Sequence, residues 1–117
     1  MTSEFRRAKR RKVEDRIEVT DAMTDRVIGH LSDLSETGML LIANQPLVSD
    51  ALYQLRFRLV DGNQHARAIE VGVHELWSDA AAAPGQVWTG FRFIDLGPAD
   101  LMFIRSWVAA PDGQLVP

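Results

Sequence analysis

Hydrophobic and polar positions alternate along most of this chain, and the clearest case is Leu52 to Val60. There Tyr53, Leu55, Phe57 and Leu59 fall on one side and Leu52, Gln54, Arg56 and Arg58 on the other, the pattern of a strand with one wet face. The same period places Val13, Ile17 and Val19 among charged residues, and a second run follows with Val27, Ile28 and Leu31. Two strands and a turn over Thr20–Asp25 account for both. Further strands are predicted over Met39–Ala43, ended by Asn44-Gln45-Pro46, over Ala66–Trp77, and over Val87–Ile94, ending at Asp95. The Ser78–Gly85 stretch between the last two reads as a hairpin loop.

The pattern changes after Gly97. Pro98 is suited to a first helical position and Asp100 to a first turn, and Leu101, Ile104 and Val108, with Phe103 and Trp107 beside them, recur at helical spacing up to a stop at Pro111. A helix to about Ala109 with an apolar stripe must cover something. Short antiparallel strands at regular intervals followed by one such helix predict an all-β domain, a six- or seven-stranded barrel capped by a C-terminal α-helix.

Length and composition keep this to one ordinary globular domain: 117 residues, 46% hydrophobic and 25% charged. Cysteine is absent, which removes disulfides, thiolate metal sites and a thiol nucleophile and fits a reducing, cytoplasmic setting. No apolar run is long enough to cross a bilayer, nor does the N-terminus carry the apolar stretch of a signal peptide, so no membrane insertion is expected.

Charge is segregated. Residues 1–16 hold seven of the 13 basic side chains and three of the 16 acidic ones, so the front of the chain is positive and the rest negative. Within it Arg6 to Lys12 is basic at six of seven positions. Residues 1–12 offer almost nothing to a core and are read as a flexible basic arm, with the barrel and helix over 13–110 and a tail over 111–117. A phosphate-bearing partner is expected at the arm.

Two clusters carry candidate chemistry: the arginines of the arm, Arg6, Arg7, Arg10 and Arg11, and the turn Asp33-Leu34-Ser35-Glu36-Thr37-Gly38. Taken singly, the first is a solvated tail and the second an ordinary polar turn. Together they match both halves of a family signature, RxxxR before the first strand and D/NxSxxG between two early strands. Asp33, Ser35 and Gly38 supply the second half, and the first is met by Arg6 with Arg10 or by Arg7 with Arg11. The sequence thus resembles the PilZ family, and the likeness extends to Gly38-Met39-Leu40-Leu41 and to Gly90-Phe91-Arg92-Phe93.

The resemblance implies a bacterial receptor for the second messenger cyclic di-GMP that relays binding to a downstream protein partner. It needs no cofactor. Arginine suits phosphodiester oxygens, the O6/N7 edge of guanine and the purine face. The Asp33 carboxylate would accept from guanine N1–H and N2–H2, Ser35 would add a hydroxyl, and Gly38 would permit a positive φ or a close backbone approach. A ligand-independent interaction module of the same fold is the alternative. A small RNA-binding barrel is a third reading, disfavoured by the acidic body, so no specific nucleic-acid polymer is expected as partner.

Catalytic machinery is not visible. His30, His65 and His74 lack the spacing of a metal site or a nucleophile–base pair, and no hydrolase or phosphate-loop motif occurs, so neither an enzyme nor a metal site is predicted. Trp77, Trp88 and Trp107 are read as packing groups, with base stacking as the second use of one that lies exposed near the site.

Overall fold

The computed structural model describes residues 8–110 and the backbone of Leu115–Val116. Its elements run β1 (Arg10–Lys12), β2 (Glu18–Asp21), β3 (Arg26–Ser35), β4 (Gly38–Ala43), β5 (Leu52–Val60), β6 (Ala66–Ala80), β7 (Val87–Leu96), α1 (Pro98–Ala109) and β8 (Leu115–Val116). Six of the strands close an antiparallel barrel in the order β2-β5-β6-β7-β4-β3, with β2 returning to β3. Outside it, β1 lies along the end of β3, and β8 pairs with β1.

The period-two pattern is what fills the barrel. Leu55, Phe57 and Leu59 of β5, Ile69, Val71 and Val73 of β6, and Leu41 and Met39 of β4 are all buried, while Leu52 on the opposite side of β5 is exposed. Helix α1 lays Ile104, Trp107 and Val108 onto this core, as its stripe requires. Pro98 opens it, and Asp100 accepts a 2.7 Å hydrogen bond from Arg67 Nε that ties the first turn to β6.

Several boundaries differ from those the sequence suggests, beginning with the first barrel strand, which is confined to Glu18–Asp21 and takes in two residues of the expected Thr20–Asp25 turn. Arg10–Lys12, assigned to the free arm, are instead hydrogen-bonded to β3, because the backbone edge of β3 at Asp33–Ser35 accepts a further strand without needing apolar side chains. The segment Asp33-Leu34-Ser35 is strand rather than turn, so that only Glu36 and Thr37 join β3 to β4. Strand β6 continues to Ala80, shortening the loop before β7, since polar Ser78 and Asp79 pair with Thr89 and Trp88. In the tail, Leu115 and Val116 form a short strand. Arg6 and Arg7 lie outside the described residues.

Two of the sheet's register shifts decide which way Asp33 and Trp77 face. In β3, Leu31 pairs with Leu41 and Asp33 with Leu40, so Ser32 is an extra residue; the alternation reverses there, burying Leu34 in the core and turning Asp33 to the outer face. In β6, Glu75 pairs with Phe91 and Trp77 with Gly90, so Leu76 is the extra residue and Trp77 is likewise turned outward.

Candidate functional site

The hairpin of β3 and β4 is built on Ser35. Its Oγ accepts from the N–H groups of Thr37 and Gly38 at 3.2 and 3.1 Å and lies 3.2 Å from the Gly38 carbonyl oxygen. With only 2% of its surface exposed, this hydroxyl is engaged in closing the turn. Gly38 does not have a positive φ. A Cβ there would overlap the Phe91 carbonyl oxygen of β7, so a side chain is excluded by the close approach of two strands. Arg105 Nε of α1 donates to Glu36 Oε1 at 3.0 Å, and Phe93 N–H to the Thr37 carbonyl at 2.9 Å, so both tip residues are tied down.

Asp33 is placed by this hairpin and by β1, where Lys12 is its register partner. It is 5% exposed, and its Oδ1 is buried with no hydrogen-bond partner among the described residues. Among the described residues its ion-pair partner is Arg10, whose Nε stands 3.9 Å away, beyond hydrogen-bonding distance. Burial holds the carboxyl above its ordinary pKa, with the Arg10 charge partly opposing. An unsatisfied buried acceptor costs about 1–3 kcal/mol, so the native state carries a group lacking its donor.

Neighbouring positions on a strand face opposite ways, and this separates the arginines. Arg10, paired with Ser35, is on the side of Asp33. Arg11 is turned to the helix, where its guanidinium lies 4.1 Å from the Trp107 ring centroid and Nη1 donates to the Trp107 carbonyl at 2.5 Å. Arg11 also borders a cavity of about 650 Å³ between residues 13–18, β5 and Trp107, which Asp33 does not line. Of the expected site residues, the hairpin and β1 thus bring together Arg10, Asp33, Ser35 and Gly38, and they set Arg11 apart.

Other residues join this face that sequence reasoning did not assign to it. Arg92 of β7 is exposed and directly opposite Gly38. Its outward direction follows from the inward Phe91, but its closeness to the hairpin is a matter of register, which no local signal reveals. Among the described residues no group of three or more His, Asp or Glu is arranged to hold a metal, and no helix is long and apolar enough to cross a membrane.

Comparisons with known proteins agree on the architecture. The structure of Bacillus subtilis MotI/DgrA, an inhibitor of motility, superposes with a TM-score of 0.73 at 14% identity, covering 89% of this chain and 49% of that one. The chain therefore spans about half the length of MotI. The PilZ domain of Escherichia coli YcgR, solved with c-di-GMP, gives 0.59 at 15% identity over 86% of each chain. The PilZ domain of CeSA from a cellulose-synthesizing bacterium gives 0.54 at 16% identity, over 85% of this chain and 93% of that one. No curated protein sequence matches. The PilZ domain family model matches residues 4–110, from the arginine-rich leader through the barrel to the end of the helix, and the chain belongs to the PilZ domain family.

Proposed function

We propose that this domain binds cyclic di-GMP on the outer face around Asp33 and acts as a receptor module rather than a catalyst. The observation that carries the reading is the Asp33 carboxylate, 5% exposed, with Oδ1 lacking a hydrogen-bond partner among the described residues and a guanidinium 3.9 Å away. Guanine N1–H and N2–H2 are donors that such an acceptor can take, whereas arginine, which has no acceptor, cannot bind that edge of the base. The phosphodiester charges then meet Arg10 and, by the RxxxR spacing, Arg6.

The opposed directions of Arg10 and Arg11 support the Arg6–Arg10 register over Arg7–Arg11. In this reading Arg11 anchors β1 to α1, while Ser35 and Gly38 shape the hairpin that holds Asp33 in place. Four or five charge-assisted contacts at about 1.5–3 kcal/mol each, less the entropy lost on binding, are sufficient for micromolar affinity. The output is proposed to be a changed surface at the leader, read by a protein partner.

Calorimetric titration with cyclic di-GMP tests this. Wild type and Arg11→Ala are expected to bind, whereas Arg10→Ala and Asp33→Ala lose at least tenfold in affinity. No binding heat with folded wild-type protein would overturn the receptor reading in favour of a ligand-independent interaction module.

A further inference from the structure

The barrel closes through a short seam. Strand β2 pairs with β3 along its whole length, yet it meets β5 only through Thr20 with Arg56 and Asp21 with Leu55. It parts from β5 at the register shift that lies between Val19 and Thr20 in its pairing with β3. The preceding residues stay with β3, where Ser32 O accepts from Val13 N–H and Ile17 O from Leu31 N–H, both at 2.9 Å. Continued in the same register, β2 would set Glu18 against Arg58 and Arg16 against Val60, and neither pair forms.

The second half of β5 therefore has a strand partner on one side only. Ala22 N–H donates to the Gln54 carbonyl across the seam at 2.8 Å, whereas Asp61 N–H donates to the His65 carbonyl on the β6 side at 2.9 Å. Alternation between these two bonds aims the N–H and C=O groups of Arg58 and Val60 at the seam, where they have no backbone partner among the described residues. That edge opens into the cavity of about 650 Å³ that borders Arg11. Phe57, buried in the barrel, and Arg58 and Val60, exposed on its outside, all line the cavity, as residues from both faces of a strand do at an open edge. Val13, Ile17 and Trp107 make much of the remaining wall apolar.

We propose that this open edge is a site of β-augmentation, where an extended segment of a partner protein adds a strand alongside β5 and bonds its backbone to Arg58 and Val60. A row of unpaired donors and acceptors selects another backbone as its occupant, and the apolar wall takes every second side chain of that segment. The intervening side chains fall between Arg58 and the acidic Glu14, Asp15 and Glu18 of the opposite wall, so a segment that mixes acids and bases suits the groove better than one of a single charge. A second copy of this chain suits it poorly, because its own β5 would lay Arg56 and Arg58 against the same two residues. Neither Arg10 nor Asp33 lines the groove, so docking there does not require a ligand at the hairpin.

The test uses a short acetylated and amidated peptide that alternates valine with glutamate and lysine in turn, titrated into the full chain and followed by calorimetry and backbone amide exchange. Saturating peptide is expected to slow exchange of the Arg58 and Val60 amides roughly tenfold or more. A peptide N-methylated at the amides that reach β5 keeps every side chain and loses the backbone donors, and it should not bind. Arg58→Glu, a change at an exposed position, should weaken the original peptide about five- to tenfold, and a peptide with lysine in place of glutamate should recover the loss. No binding to the folded wild-type protein at millimolar peptide, protection confined to another edge such as β8, or equal affinity for the N-methylated peptide would overturn the proposal.

Discussion

Arg10 and Asp33 stand 3.9 Å apart, close enough for attraction and too far for a hydrogen bond, and the buried carboxylate oxygen has no other partner among the described residues. Such an arrangement is poor for stability. It is what a site looks like when the missing donors belong to a ligand.

Removing the carboxylate should therefore strengthen the fold while abolishing binding. Asp33→Ala is expected to raise stability by about 1 kcal/mol, or about 4–8 °C in Tm for a domain near this size, since an unsatisfied buried charge disappears. Thermal melts in the absence of ligand check this; a drop of similar size would mean that Asp33 already has its partners.

The adjacent arginines should separate function from structure. Arg10→Ala is expected to leave the melting temperature within about 2 °C while weakening cyclic di-GMP binding, because its ion pair is loose and partly exposed. Arg11→Ala removes a cation–π contact and a hydrogen bond to the Trp107 carbonyl, and should destabilise by about 1–2 kcal/mol with little direct effect on the ligand. Paired melting and calorimetry on the two variants decide the matter.

Ser35→Ala should resemble a folding mutation. Its hydroxyl closes the hairpin through the N–H groups of Thr37 and Gly38, so its loss is expected to cost about 1–2 kcal/mol. Affinity should fall only as far as the hairpin loosens. Ser35→Thr, which restores the hydroxyl, should recover part of it, as measured by denaturant unfolding and titration of the same samples.

Two buried groups give opposite pH dependences. Burial, and then the charge of Arg16, hold His30 below its ordinary pKa of 6.5, so the unfolded chain takes up that proton first and stability falls as pH drops through 6.5 toward the depressed value. Asp33 is raised above 3.8, so the native chain keeps a proton the unfolded chain has lost, and its contribution declines as pH rises from 3.8 through the raised value. Melts of His30→Gln and Asp33→Asn against pH should each lose the corresponding slope. Ligand affinity should weaken on acidification through the raised pKa of Asp33, because only the carboxylate accepts both guanine donors.

Much of this was legible before any coordinates. Strict alternation in Leu52–Val60 and the stripe of Ile104 and Val108 determine a strand and a helix through side-chain burial alone, and the RxxxR and D/NxSxxG spacings pointed to the family. What could not be read was parity across bulges. Ser32 and Leu76 look like ordinary members of their strands, yet each reverses the alternation after it, so the outward turn of Asp33 and Trp77 depends on pairings with Leu40 and Gly90 far away in sequence. The separate roles of Arg10 and Arg11 were hidden for a related reason. Their directions became defined only once β1 was found paired to β3.

A crystal structure of the domain with cyclic di-GMP tests the central claim most directly. The account predicts a guanine with N1–H and N2–H2 on the Asp33 carboxylate and a phosphate on Arg10. A ligand lodged instead in the cavity beside Arg11 and Trp107, with Asp33 Oδ1 still unpaired, would contradict it.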